Sequence, residues 1–265
     1  MVHPTAIIAP GAEIDPSCEV GPYSIIDENV RLGARCIVGP HVHLTGHTEI
    51  GANNRFYTGC VIGEAPQDLK YKNDATRLRI GDGNVFREHV TIHRSNKLEE
   101  DTVIGSNNFL MAHSHVGHNS HIGNHVVIVN GALIAGHVTV DDRAIISGNC
   151  LVHQFVRVGT FAMMQGGAAI SKDLPPFTIA RGDNHICGLN IIGLRRADVS
   201  SAARLELKAV YRAVFRSHLP MRKAAEKALA EFKSPHARAL LEFILASKRG
   251  VCSDVAAGFD RPEQA

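Results

Sequence analysis

Residues 104–140 read IGSNNFLMAHSHVGHNSHIGNHVVIVNGALIAGHVTV. Taken in sixes, they place Ile104, Leu110, Val116, Ile122, Ile128, Ile134 and Val140 at the first slot, usually with Gly or another small residue next. A six-residue period is the signature of a parallel β-helix, in which each repeat supplies one short strand and a turn, and neighbours bury a common core. Strands of a sandwich would instead need turn signals about every eight to twelve residues.

The register extends far beyond this stretch. Upstream, the first slot falls on Ile8, Ile14, Val20, Ile26, Leu32, Val38, Leu44, Ile50, Phe56 and Ile62, then on Ile80, Phe86 and Ile92; downstream it runs through Ile146, Val152, Val158, Met164 and Ile170. Three such repeats close a triangular coil, and the next coil stacks about 4.8 Å above it, at the ordinary strand spacing. Two polar segments break the register, Glu64–Leu78 (EAPQDLKYKNDATRL) and Ser95–Thr102 (SNKLEEDT), and are expected as loops thrown out from a corner. Gln67, Asp68 and Lys70 on the first loop could reach a polar ligand.

The prism is expected to stop near Asp173, because the following Leu-Pro-Pro-Phe cannot supply ladder donors. This divides the chain into a repeat domain over 1–175 and a connecting segment with a helical domain over 176–265. An irregular stretch through Gly193 precedes three predicted helices: one capped by Ser200-Ser201 over RLELKAVYRAVFRS, one over MRKAAEKALAEF, and one over PHARALLEFILASKR ended by Gly250. The tail from Val251 reads as loosely ordered. Arg195, Arg196, Arg212, Arg222 and Lys223 make this part basic and suited to an acidic partner.

Composition narrows the function classes. The formal charge of +2 over 265 residues gives no general reason to bind nucleic acid. No apolar run reaches membrane-spanning length, and the N-terminus lacks the pattern of a secretion signal, so a cytoplasmic location is expected. Of the six cysteines, Cys18, Cys36, Cys60 and Cys150 share the fifth slot, where a thiol acts as a small buried apolar group.

The opening stretch also holds six histidines, His113, His115, His118, His121, His125 and His137. His118 occupies a third slot and should point out of the prism. His137 and His153 follow at close to one coil each, so a wall of three imidazoles is expected at one corner, with a group suited to general-base work near neutral pH. His113 and His118 are also spaced compatibly with zinc ligation, as in the γ-class carbonic anhydrases built on similar prisms.

QDLKY at Gln67–Tyr71, TIHR at Thr91–Arg94, HVGHN at His115–Asn119, AGHV at Ala135–Val138, VHQF at Val152–Phe155 and DLPPF at Asp173–Phe177 together resemble the UDP-N-acetylglucosamine acyltransferases, which open lipid A biosynthesis. The resemblance runs over nearly the whole chain and disfavours the carbonic anhydrase alternative. It implies a left-handed parallel β-helix with a C-terminal α-helical domain, assembled as a homotrimer, and no cofactor or metal. It implies transfer of a 3-hydroxyacyl chain from acyl carrier protein to the 3-hydroxyl of a UDP-sugar, with His118 as general base and the Gly136 N–H facing the oxyanion. Gln67, Asp68, Lys70, His115, His137, His153, Gln154 and Asn190 would line the substrate site, Gly166 would bear on acyl length, and Arg195 and Arg196 would meet phosphate and carrier protein. The chain departs from the family where Asn119 replaces the usual aspartate after the base, and where Ile192 and Ala197 replace a glutamate and an arginine. Because a neutral amine is already nucleophilic, a 3-amino sugar nucleotide is the alternative acceptor.

Overall fold

The computed structural model describes residues 1–254. Short strands, mostly of two to four residues at six-residue spacing, sort by threes into sheets of nine, eight and eleven strands, parallel throughout the coils, that form the faces of a triangular prism. Partners lie one coil apart, as in His115↔Leu133, Leu133↔Leu151 and Leu151↔Ala169. First-slot residues fill the axis: Ile62, Ile92, Val116 and Ile134 are fully buried, and Phe56 stacks on Phe86 with ring centroids 4.8 Å apart.

The fifth slot is also buried, with a mixed chemistry. The cysteines there are free thiols pointing at carbonyls of the next coil, Cys60 Sγ to Arg87 O at 3.0 Å and Cys150 Sγ to Gln165 O at 3.1 Å. Burial pushes the Cys36 and Cys60 thiols up to about 11, so they remain protonated packing groups. Along the corner that begins with Cys18 and Cys36 the slot then carries asparagines, and Asn54, Asn84 and Asn108 form a ladder in which each side-chain oxygen accepts the backbone N–H of the slot above it. The fourth slot turns the chain through the left-handed region, with φ of 60° at His113, 55° at His125 and 59° at His137. Asn and His tolerate that conformation better than most side chains. Much of the histidine density of residues 104–140 therefore has a backbone cause.

Both loops leave the prism from one corner, on successive turns. The first connects strands Val61–Glu64 and Arg77–Ile80, and the second connects Thr91–His93 to Thr102–Ile104; Leu78 and Thr102, expected in loops, are paired with each other in a sheet. The ladder continues beneath them, Val61 pairing with Thr91 and Thr91 with His115, with one register shift between Ile62 and Glu64 where the first loop leaves.

The expected stop at Asp173 is not where pairing ends. Leu174 bridges to Val158, and after the two prolines Thr178–Ala180 adds a parallel strand to the eleven-stranded sheet. His185–Leu189 then pairs antiparallel to it, and Ser253–Asp254 pairs with His185–Leu189. The prolines sit in a turn that needs no ladder donor, and the stretch read as irregular supplies two strands and a short helix, α1 (Ile191–Arg196). Helices α2 (Ser201–Phe215), α3 (Met221–Glu231) and α4 (Pro235–Leu245) follow, with Ser200 and Ser234 as side-chain caps of α2 and α4. The last ends at Leu245, ahead of Gly250, because the chain there turns back to the prism: Asp173 N–H donates to Gly250 O and Cys252 N–H to Asp173 O. Val251–Asp254, read as loosely ordered, is thus held in the base, while 255–265 lie outside the described residues.

Replacing a stacked axial ring should expose the cost of this packing. Phe86→Ala is expected to destabilise the protein by about 3–5 kcal/mol, read in urea unfolding, with Phe86→Leu losing clearly less.

Candidate active site

Above His118, the two loops crowd the corner from which its side chain projects. His118 follows the strand His115–Val116 and is buried to 7% exposure, together with Asn119 at 2%. The Asn119 N–H donates to Thr102 Oγ1 at 2.7 Å, its Nδ2 donates to Ser95 Oγ at 2.7 Å and Glu100 Oε2 at 3.2 Å, and its Oδ1 accepts from Asn96 N–H at 3.0 Å. These contacts fix which way the amide faces. The Asn119 oxygen lies 2.8 Å from His118 Nδ1, which therefore carries the proton and donates it, leaving the Nε2 lone pair free.

That free nitrogen faces Gly136 on the next coil. A Cβ on Gly136 would sit 2.8 Å from His118 Nε2, so glycine is what lets the backbone approach the imidazole. Among the described residues the Gly136 N–H has no acceptor. An imidazole lone pair and an unpaired backbone N–H on adjacent coils of one corner can remove a proton and receive a developing oxyanion.

The surrounding charges are arranged around this pair. His137 meets His118 edge-on at 5.1 Å and stacks on Phe155 at 4.8 Å. Burial lowers the His137 pKa against the raising effect of Glu100, whose Oε2 is 3.8 Å from His137 Nδ1. Asp68 is tied in by Asn96 Nδ2 at 2.7 Å; the Lys70 N–H, the Asn96 amide and His118 hold its carboxyl below the usual range. On the outward face of the sheet, His115 bonds Thr91 Oγ1 at 2.7 Å and meets the edge of His93 at 4.7 Å; burial, then His93 and His118, push it down to about 4.

From His115 a groove of about 540 Å³ runs down that face past Leu133, Leu151 and Ala169 to Asp183 and Asn184. Leu133 and Leu151, on the outward sixth slot, stand 46% and 49% exposed and give the groove an apolar floor.

The residues singled out in the sequence separate accordingly. Asp68, His115, His118, Asn119, Gly136 and His137 come together. His153 does not join the expected wall: it turns into the groove, its Nδ1 3.4 Å from Arg249 Nη2, and Phe155 takes the place beside His137. Gln67 and Lys70 sit exposed on the loop, and Gln154 lies half-buried beside His153. Asn190 caps α1, its Oδ1 accepting from Gly193 N–H and its Nδ2 donating to Phe161 O. Arg195 and Arg196 stand exposed at the end of that helix, and Gly166 occupies a different corner, where a Cβ would meet only Gly148 O at 3.6 Å. His113 lies at the far end of the His115–Val116 strand from His118, stacked on His89, so those two histidines do not converge within one chain. Sequence reading passed over His93, Ser95, Asn96 and Glu100; the second loop's departure from the same corner as the first was the available signal.

Because His115 binds its proton more weakly in the fold than in the unfolded chain, the unfolded state holds more protons as pH falls from about 6.5 to about 4. Stability is expected to be full above that window and to drop through it. His93 and His137, shifted the same way, add to the effect. Thermal melts at stepped pH should show the fall, and His115→Asn should flatten it.

Comparison with known proteins agrees with this geometry. A family model described as bacterial transferase hexapeptide matches residues 101–136, and one described as UDP-N-acetylglucosamine O-acyltransferase, domain 2, matches residues 173–252. The acyl-acyl-carrier-protein–UDP-N-acetylglucosamine O-acyltransferase of Syntrophobacter fumaroxidans is 43% identical over 94% of this chain and 98% of its own length. The enzyme of the same name from Thermodesulfovibrio yellowstonii is 44% identical over 95% and 98%. The solved UDP-N-acetylglucosamine acyltransferase of Francisella novicida superposes with a TM-score of 0.93 at 35% identity, over 97% of this chain and 96% of that one. The chain belongs to the UDP-N-acetylglucosamine O-acyltransferase family, with that family's left-handed β-helix and C-terminal helical domain.

Proposed function

We propose that this enzyme transfers a 3-hydroxyacyl chain from acyl carrier protein to the 3-hydroxyl of UDP-N-acetylglucosamine, the first step of lipid A biosynthesis. The observation that carries the reading is the free His118 Nε2 packed against Gly136, whose N–H is unpaired, with the neighbouring His115 and Ala135 lining an apolar groove. His118 takes the hydroxyl proton as the sugar oxygen bonds to the thioester carbonyl carbon. The carbonyl electrons move onto oxygen, where the Gly136 N–H donates to them; one such aligned donor is worth on the order of 10²–10³ in rate. Collapse of the intermediate breaks the C–S bond, and the imidazolium returns its proton to the departing thiolate, which restores His118.

The remaining assignments follow the same scheme. Asp68, with Gln67 and Lys70 on its loop and His137 opposite, holds the sugar; His115, His153 and Gln154 border the pantetheine and acyl path. Arg195 and Arg196 face phosphate and carrier protein, beside Asn190 at the start of their helix. Leu133 and Leu151 form an open floor that a second copy would cover, in keeping with a homotrimer whose sites lie between prisms. Six free thiols and a carrier-protein donor fit a cytoplasmic enzyme.

Acyl transfer from a panel of 3-hydroxyacyl carrier proteins, offered UDP-N-acetylglucosamine and its 3-amino analogue in parallel, tests the reading. Transfer to the hydroxyl sugar is expected; strong preference for the amine would reassign the acceptor. His118→Ala should lower kcat/KM by at least about 10², and an unchanged rate would remove His118 as the base. Ala169→Trp, filling the far end of the groove, should shift preference to shorter acyl chains while leaving transfer of short ones intact, as read from the same panel.

A further inference from the structure

An imidazole that accepts a proton becomes a cation, and a buried cation needs an anion or a strong dipole to settle it. The group on His118 Nδ1 is the amide of Asn119, which orients the ring and brings no charge. The same amide touches a carboxylate at its other end: Asn119 Nδ2 donates to Glu100 Oε2 at 3.2 Å and approaches the Glu100 backbone oxygen at 3.5 Å. Asn119 cannot rotate away, because Asn96, Thr102 and Ser95 occupy its remaining polar atoms. The Glu100 oxygen that receives this bond also lies 3.8 Å from His137 Nδ1, and His137 meets His118 edge-on.

The geometry points to Glu100 as a positioning residue for the transfer reaction, supplying through the Asn119 amide the negative charge that His118 needs once it has taken the substrate proton. The path runs from His118 Nδ1–H to Asn119 Oδ1 and from Asn119 Nδ2–H to Glu100 Oε2. Donation at Nδ2 to a carboxylate polarises the amide and makes its oxygen a stronger acceptor. The partly exposed Lys97 ammonium, 3.3 Å from Glu100 Oε2, holds the carboxylate in place without burying it. The second loop then belongs to the catalytic apparatus, with Ser95, Asn96 and Glu100 clamping one amide.

This inference rests on the reading of His118 as the base, and the test separates the two. The groups facing His118 are Asp68 on the first loop, Lys97 and Glu100 on the second, His93 and His115 on the outward strand face, and His137 on the next coil; only Glu100 is changed. In E100Q, NMR titration of the His118 ring should show its midpoint lower by about half a pH unit or more. Steady-state acyl transfer by E100Q should show kcat down about tenfold, with KM for both substrates and the melting temperature little changed. The double variant N119D/E100Q, with a carboxylate directly on Nδ1, should recover most of the loss. In contrast, N119D alone sets two carboxylates against each other and should lose activity.

An unchanged kcat and an unchanged His118 midpoint in E100Q overturn the proposal. So does a loss that appears in KM alone, or one that N119D/E100Q leaves unrepaired, since either assigns Glu100 to substrate contact or to loop structure. The titration needs no substrate. A wild-type enzyme that transfers no acyl chain, yet whose His118 midpoint drops in E100Q, overturns the functional reading and leaves the coupling standing.

Discussion

Everything in this molecule hangs on a parallel backbone ladder that repeats every three hexapeptides. The ladder sets one coil directly over the next, so side chains eighteen residues apart become neighbours. An axial residue must then be aliphatic or aromatic, the fourth slot must tolerate the left-handed turn, and the fifth must be small or must bond to a coil above or below it. The cysteines and asparagines of the fifth slot are two chemical answers to one steric demand.

The same ladder builds the site. His118 and Gly136 are one coil apart with a single residue in each case after the first slot's successor, so strand spacing brings imidazole and backbone amide together. Two insertions on the preceding turns of that corner add what a regular coil lacks, a cover of polar side chains. Burial follows: the ring of His118 is nearly closed off, while the adjacent sheet face stays open and apolar. A buried imidazole beside an open apolar groove is a combination that neither the prism nor the loops would provide alone.

Periodicity made the prism legible from Ile8 to Ile170, because an aliphatic slot recurring every six residues leaves a mark that is readable at short range. Past Ile170 that mark vanishes. The strands at Thr178–Ala180 and His185–Leu189 have no period to announce them, and Ser253–Asp254 is paired by a contact of long sequence separation. At the site, spacing brought His118 and His137 to one corner and failed for His153, which sits on the second slot, two residues short of a full coil; Phe155, one full coil beyond His137, takes the place beside it. The outward residues Leu133 and Leu151 floor the groove, but their slot is aliphatic elsewhere on the prism too, as at Ile25, Ile37 and Ile145, so the pattern did not mark them out. Glu100 was not readable either: its contact with Asn119 depends on how a short irregular loop folds back.

The base of the prism carries a consequence for synthesis. Its last edge is sealed by a segment that follows it in the chain by a long way, Cys252 Sγ reaching Lys172 O across 80 residues. Coils near the N-terminus can stack as they leave the ribosome, each templated by the one before. The lowermost edge has no such partner until the helices have been made and the closing residues return to it. For that interval an unpaired row of backbone donors and acceptors faces the cell, open to another nascent chain. The speed with which the helical domain follows the prism therefore governs how long each new molecule stays exposed to pairing with the wrong neighbour.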